Sequence, residues 1–155
     1  MRIIKLFILS LVAVAFFSCE TTYVKQYSWA YPVAGDWMLT AYVNGAAVSD
    51  PFEAKSYNTA VGKDSIWIDD YATTSSNGHF WSFQVKTAVN MSTKTFSTVG
   101  STNAIPNYGI KIVVSDGKII GNDSITMNVV FADDPTTTYK LAGHREVSYN
   151  EYTQQ

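Results

Sequence analysis

Apolar and polar side chains alternate along most of the chain from Gly35 onward. Trp37 and Leu39, for example, alternate with Met38 and Thr40. A period of two places successive side chains on opposite faces of a strand, and no helical period persists for even three turns. The pattern predicts strand segments over residues 37–43, 54–61, 65–71, 80–90, 94–99, 108–115, 118–121, 125–131 and 137–147.

Short polar breaks between these runs are typical of hairpin turns. Asn44-Gly45 and Asp116-Gly117 are the dipeptides that favour two-residue turns, and the second is the strongest hairpin signal in the chain. Residues 62–64 and 133–135 provide further turns. The spacing favours an all-β fold, an antiparallel up-and-down barrel of about eight strands that is filled or holds one small ligand. An open two-sheet sandwich is the alternative.

The first 18 residues have the parts of a secretory signal. Arg2 and Lys5 give a positive start, residues 6–17 are largely apolar, and a small residue precedes Cys19. The apolar run is too short to cross a bilayer, which takes about 20 residues. The junction resembles the lipobox of bacterial lipoproteins, in which the cysteine is acylated.

We therefore expect residues 1–18 to be removed and Cys19 to carry a lipid that anchors the protein to the outer membrane. Cys19 is the only cysteine, so an internal disulfide is excluded. A plain secretory peptide is the alternative, and display at the surface or on the periplasmic face stays open. Residues 19–34 are predicted to be a tether, 35–148 the barrel domain and 149–155 a polar tail.

Composition narrows the range of partners. The first 18 residues contain two of the 11 Lys and Arg and none of the 13 Asp and Glu, so the remainder carries a net charge of about −4. A mildly acidic chain without a basic run argues against nucleic acid. Ten Tyr, eight Phe and four Trp give a small domain ample apolar area for a core or an apolar ligand.

Gly35-Asp36-Trp37 opens the first strand, and Arg145 lies near the end of the last. This pair resembles the calycin (lipocalin-like) signature, in which the tryptophan closes the barrel floor beneath a basic residue of the final strand. The resemblance implies a cation–π contact between Trp37 and Arg145. A surface arginine and an ordinary core tryptophan are the alternative.

A wider resemblance extends from about Gly35 to Tyr152. Segments 67–70, 80–86, 94–97 and 117–120 resemble those of the "lipid-binding putative hydrolase" lipoproteins of Bacteroidetes-type bacteria. The resemblance implies a calycin-like barrel and a lipid-binding role. No motif in this chain corresponds to the hydrolase part of that description.

Catalytic chemistry finds little support. The chain has no Gly-X-Ser-X-Gly motif, and its histidines, His79 and His144, are both expected to face solvent. We predict no catalytic residue, no metal site and no cofactor. Asp69 and Asp70 are adjacent on a strand and should point to opposite sides. Asp133-Asp134 is expected to be a turn, with a weak cation site as the alternative.

Binding of a small apolar or lipid ligand therefore remains the leading hypothesis. Alternation places eight apolar residues in the barrel interior, and Tyr57, Trp67 and Tyr71 are predicted to supply polar ends near its mouth. The predicted interior residues are Trp81, Phe83, Val85, Ile110, Ile112, Met127, Val129 and Phe131. The alternatives are an esterase-type hydrolase and a packed barrel that acts as a protein-interaction module in the envelope.

Overall fold

A computed structural model of the protein describes residues 26–71 and 78–146. The predicted signal, Cys19 and the tail 149–155 lie outside the described residues. The strands are β1 (Gly35–Val43), β2 (Ala46–Ala47), β3 (Phe52–Asn58), β4 (Ser65–Asp69), β5 (Gln84–Asn90), β6 (Thr95–Thr102), β7 (Lys111–Ile120), β8 (Ser124–Phe131) and β9 (Asp134–Arg145).

The strands form one antiparallel sheet that closes on itself. Each long strand pairs with the next along the chain, and β1 pairs with β9 from Trp37↔Arg145 to Tyr42↔Lys140. The two-residue β2 is an extra strand that pairs with β1. The predicted all-β up-and-down barrel of eight strands is confirmed, and because the sheet is closed, the sandwich alternative does not apply.

Alternation along each strand separates a buried inner face from an outer face. In β8, for example, every second residue from Ile125 to Phe131 is buried. The inner residues of all eight long strands form one apolar cluster together with buried residues from the connecting segments. Within residues 26–71 and 78–146, no helix is long and apolar enough to cross a bilayer.

Asn44-Gly45 makes the predicted turn, with φ of 51° and 84° at the two residues. Asp116-Gly117 does not, and the prediction of a hairpin there is wrong. These two residues lie inside β7, where the register with β8 shifts between Ser115 and Lys118 in a bulge. Gly117 lies against Phe96, and a Cβ on it would be 2.4 Å from the Phe96 ring.

The segment before β1, predicted to be part of a tether, packs onto the barrel. Residues 29–33 form turns, and the main-chain N–H groups of Val33 and Ala34 both donate to the carbonyl of Ala30 at 2.8 Å. Ala30 and Val33 are fully buried in the core. The packed structure therefore begins before Gly35, because these side chains cover apolar surface at the end of the barrel where β1 starts.

Candidate functional site

One end of the barrel, called the floor below, is built around Trp37 and Arg145. The two residues are directly opposed across the β1–β9 pair, and the guanidinium carbon of Arg145 lies 4.5 Å from the Trp37 ring centroid. Trp37 is almost completely buried. The structure therefore brings these two predicted residues together in the contact that the calycin resemblance implies.

The Arg145 guanidinium ties three parts of the chain together at the floor. Nη1 donates to the Ala34 carbonyl at 2.7 Å, and Nε donates to the Asn122 carbonyl at 2.8 Å. A Cβ on Gly35 would lie 2.1 Å from Nη1, so the guanidinium occupies the space that a side chain there would fill. This close approach gives a physical reason for glycine two residues before the tryptophan.

A buried serine links the same floor to the segment before β1. The Trp37 Nε1 donates to Ser56 Oγ at 2.8 Å, and that hydroxyl donates to the Val33 carbonyl at 2.7 Å. Every polar atom in this chain of bonds is thus paired inside an apolar surrounding, as buried polar groups require.

Side chains fill the interior of the barrel between its ends. Of the eight predicted interior residues, six have exposed fractions of 1% or less, namely Phe83, Val85, Ile112, Met127, Val129 and Phe131. Trp81 and Ile110 are partly buried and pack against this cluster. Since no water-sized space adjoins side chains with an exposed fraction of zero, such as Phe83 and Phe131, the interior is packed around them in this conformation.

The other end is closed by five aromatic side chains, Phe52, Phe80, Trp81, Phe131 and Tyr139, which we call the aromatic cap. Trp81 stacks on Phe131 with ring centroids 4.4 Å apart and an interplanar angle of 5°. Phe80 stacks on Phe52 at 5.2 Å and meets the edge of Tyr139 at 5.3 Å. Stacked and edge-on pairs at these distances are favourable arrangements for aromatic rings.

Phe80 and Trp81 belong to a loop, although the sequence predicts a strand over 80–90. The strand β5 begins only at Gln84, and Ser82 has a φ of 57°, outside the extended region. Alternating apolar residues are therefore not enough to make residues 80–83 extended. Instead, the loop places the rings of Phe80 and Trp81 over the end of the barrel, against Phe52 and Phe131.

The carboxylate of Asp70 holds this loop in place. Its Oδ2 accepts the main-chain N–H groups of Phe80, Trp81 and Ser82 at 3.0, 2.9 and 3.2 Å, and its Oδ1 accepts that of Phe83 at 2.5 Å. Asp70 is fully buried, which raises the pKa of its carboxyl, while the main-chain donors act in the opposite direction. We call this arrangement the Asp70 clasp. The sequence does not predict this arrangement, because the donors are main-chain N–H groups 10 to 13 residues further along the chain, and no residue type there identifies them as partners of Asp70.

Two tyrosines form a polar rim around the cap. The Trp81 Nε1 donates to the Tyr108 hydroxyl at 3.0 Å, and that hydroxyl donates to Asp133. Tyr139 donates to Asp134 Oδ2 at 2.7 Å. The pKa of both tyrosines is raised, mainly by desolvation and to a smaller extent by the hydrogen bond to a carboxylate. The bond from Tyr139 is the largest of the effects that lower the pKa of Asp134.

Tyr57 and Trp67 lie on the outer face of β3 and β4, whereas the prediction placed them near the mouth of the interior. They face each other across the strand pair, and Tyr57 donates to the buried Asp69 carboxylate at 2.6 Å. Gln84 donates to both the Tyr57 hydroxyl and Asp69 at 2.8 Å. Burial is the larger cause and the hydrogen bond to Asp69 the second, and together they raise the pKa of Tyr57 to about 12.

These contacts explain the position of Tyr57 and Trp67. Their neighbours in sequence, Ser56 and Ile66, point inward, so strand alternation directs them outward. Tyr71, the third predicted polar end, is half-exposed next to the His79 ring, 5.6 Å away. Ligand contact by any of these residues remains a prediction.

Surface cavities adjoin the barrel wall and the floor. Cavities of about 570 and 400 Å³ lie along β5 and β6, and the first extends to Asp116 and Gly117 of the bulge in β7. A third, of about 650 Å³, lies at the floor beside Arg145 and Lys94. None of the eight predicted interior residues and none of the three predicted polar ends lines these cavities.

The two histidines lie in different surroundings. The Nδ1 of His79 lies 2.5 Å from the main-chain oxygen of Asp70, and His144 is exposed. Residues 26–71 and 78–146 contain no group of three or more His, Cys, Asp or Glu side chains that could hold a metal ion. Asp69 and Asp70 accept hydrogen bonds from different groups, Asp69 from Tyr57 and Gln84, and Asp70 from the main chain of residues 80–83.

Comparison with known proteins connects this barrel to a family. No curated protein matches the chain. A family model described as "lipid-binding putative hydrolase" matches residues 22–150, which include every described residue. The closed antiparallel barrel agrees with the lipocalin-like fold that the sequence resemblance implied. Because the match covers most of its length, this chain belongs to the "lipid-binding putative hydrolase" family.

Proposed function

We propose that this protein binds a lipid or another small apolar molecule at the barrel end closed by the aromatic cap. The observation that carries the proposal is that this end is closed by a loop, residues 80–83, rather than by strands. Family membership supports a lipid as the ligand. The proposal takes up the lipid-binding part of the family description and assigns no catalysis.

An acyl chain would enter by replacing the rings of Phe80 and Trp81. The interior beneath them is packed, so binding requires displacement of side chains. The loop can move without breaking the β4–β5 ladder, because that pairing ends at Asp69↔Gln84. The surface left behind would be apolar, with Phe131 and Tyr139 beside it, as small-molecule sites commonly are.

Energy transfer from tryptophan to a dansyl-labelled fatty acid tests this location. We expect Trp81→Phe to reduce the transfer far more than Trp67→Phe, because Trp67 lies on the outer face of the barrel. Native mass spectrometry of the same samples reports the stoichiometry. A protein that stays ligand-free and shows no transfer, or equal transfer from both variants, would contradict the proposal.

We also propose that the protein is a lipoprotein of the cell envelope, anchored to the outer membrane through Cys19. The lone cysteine at the end of an apolar run supports this. Cells grown with an alkyne-tagged palmitate should label the wild-type protein and the Ser18→Ala variant, whereas Cys19→Ala should be unlabelled. Labelling of Cys19→Ala, or an unlabelled wild type, would refute the anchor.

A packed barrel that serves as an interaction module in an envelope complex is the second candidate. The filled interior favours it, since packed side chains leave a ligand no space unless the cap moves. Several large apolar side chains are also exposed, among them Val61 and Val99. A ligand-free protein that crosslinks in cells to one reproducible partner would support this candidate over the first.

A further inference from the structure

The floor cavity has a charged lining that the proposed function does not use. Its volume is about 650 Å³, and Arg145 and Lys94 both line it. Asn122 holds both cations in place, because Arg145 Nε donates to its main-chain oxygen at 2.8 Å and Lys94 Nζ donates to its side-chain oxygen at 3.0 Å. Two cationic side chains are thereby fixed next to each other at one end of the barrel.

The partners of these two cations are neutral. Arg145 bonds to the carbonyls of Ala34 and Asn122, and Lys94 bonds to the carbonyl of Gly121 and the amide of Asn122. Within the described residues, neither cation forms an ion pair with a carboxylate. A guanidinium has five N–H donors and an ammonium three, so donors on both remain for an oxyanion.

The rest of the lining adds negative charge and an aromatic ring. Asp36, Glu146 and Tyr31 line the same cavity. The Asp36 carboxylate is already paired with Lys55 at 3.2 Å, whereas Glu146 is exposed. A simple anion would gain nothing from Glu146. In a ligand that carries both a phosphate and an ammonium group, the phosphate would match the two cations and the ammonium would match the Glu146 carboxylate. An aromatic ring beside the ammonium is also favourable.

We propose that the floor cavity binds a zwitterionic phosphodiester of the phosphoethanolamine type, with the phosphate at Arg145 and Lys94 and the ammonium at Glu146. Such a group occurs both as the headgroup of a membrane lipid and as a free diester. The floor cavity is distinct from the aromatic cap. The proposal of a ligand here rests on the proposed function only in taking that ligand to be derived from a lipid.

The position of the floor relative to the proposed anchor fits a membrane headgroup. Only seven residue steps separate Cys19 from Gln26, the first described residue, and a chain of that length spans at most about 25 Å. Tyr27 and Tyr31 pack together at 4.0 Å in the segment that leads to the floor, and both are about half exposed. Tyrosine is enriched where proteins meet the membrane–water interface.

Native mass spectrometry of the full protein extracted from membranes in detergent tests the site. Equal amounts of phosphatidylethanolamine, phosphatidylglycerol and diacylglycerol are added. We expect one phosphatidylethanolamine per protein in excess of any lipid bound at the cap, and Lys94→Gln should weaken this binding about five- to ten-fold, the effect expected for one net hydrogen bond. Lys86→Gln, which removes the same charge from an exposed position on β5, is the matched control and should bind like the wild type.

A second variant tests the ammonium contact. In Glu146→Gln the preference for phosphatidylethanolamine over phosphatidylglycerol should disappear, because the only lost feature is a negative charge at an exposed position. Competition with free glycerophosphoethanolamine distinguishes a membrane-lipid headgroup from a free diester as the ligand. Competition at equal affinity would assign the cavity to the soluble diester, whereas weak competition would assign it to the membrane lipid.

Equal binding of phosphatidylethanolamine by Lys94→Gln and the wild type would overturn the proposal, as would equal binding of diacylglycerol, which lacks the phosphate. Transfer from Trp81 to the dansyl-labelled fatty acid should be unchanged in Lys94→Gln. This readout distinguishes failure of the floor site from failure of ligand binding at the cap.

Discussion

Replacing Asp70 by asparagine tests whether the Asp70 clasp holds the aromatic cap on the barrel. The carboxylate uses both oxygens, one for three main-chain N–H groups and the other for a fourth. Asparagine has a single acceptor oxygen and places an NH₂ group where the second oxygen was. In either orientation, at least one buried N–H therefore faces another donor.

The size of the effect follows from the number of bonds lost. Each buried donor left without a partner costs about 1–3 kcal/mol, and one to three donors are affected, while removal of a buried charge offsets part of that cost. We expect Asp70→Asn to lower the free energy of unfolding by about 2–4 kcal/mol. With a denaturant slope of about 2 kcal/mol per molar urea, the urea midpoint would fall by about 1–2 M.

Urea unfolding followed by tryptophan fluorescence measures this change, and amide hydrogen exchange shows where it occurs. Protection should fall first at residues 80–83, and the dansyl-labelled fatty acid should associate faster because the cap opens more often. Asp116→Asn is the control, since that exposed carboxylate accepts a bond from Asn128 at 2.9 Å and should change stability by less than about 0.5 kcal/mol. A variant Asp70→Asn as stable as this control, with unchanged protection of 80–83, would refute the clasp.

Two further predictions concern barrel closure and pH. Gly143→Ala should destabilise the barrel by more than about 3 kcal/mol, because its Cβ would lie 1.9 Å from the main-chain oxygen of Met38 in the closing β1–β9 pair, whereas Gly109→Ala meets only ordinary contact at 3.6 Å. Thermal unfolding of the two variants checks this, and similar losses would contradict it. Tyr57 should ionise near pH 12, above its ordinary value of 10, because it is partly buried and bonded to Asp69. Because the folded state holds this proton more tightly, the contribution of Tyr57 to stability should be complete below pH 10 and should decline as the pH rises towards 12. In Tyr57→Phe, the last step of a tyrosinate absorbance titration should be missing. The free energy of unfolding of this variant should also not show the decline between pH 10 and pH 12 that is due to Tyr57.

The sequence was sufficient for features that depend on neighbours along the chain. Alternation identified most strands and the inward face, including Phe83 and Met127, because a strand that is buried on one side repeats every two residues. Asn44-Gly45 predicted its turn because both residues adopt positive φ readily. Trp37 and Arg145 were paired by resemblance, and the closing register places them opposite each other.

Only the tertiary structure decided features that depend on contacts between distant residues. Phe80 and Trp81 have the alternating pattern of a strand, but the buried Asp70 carboxylate gathers their N–H groups into a loop over the barrel end. Asp116-Gly117 has a turn sequence, yet pairing with strands on both sides keeps it inside β7 as a bulge. In each case the local pattern is compatible with more than one conformation. Hydrogen bonds and packing with residues elsewhere in the barrel select one of them.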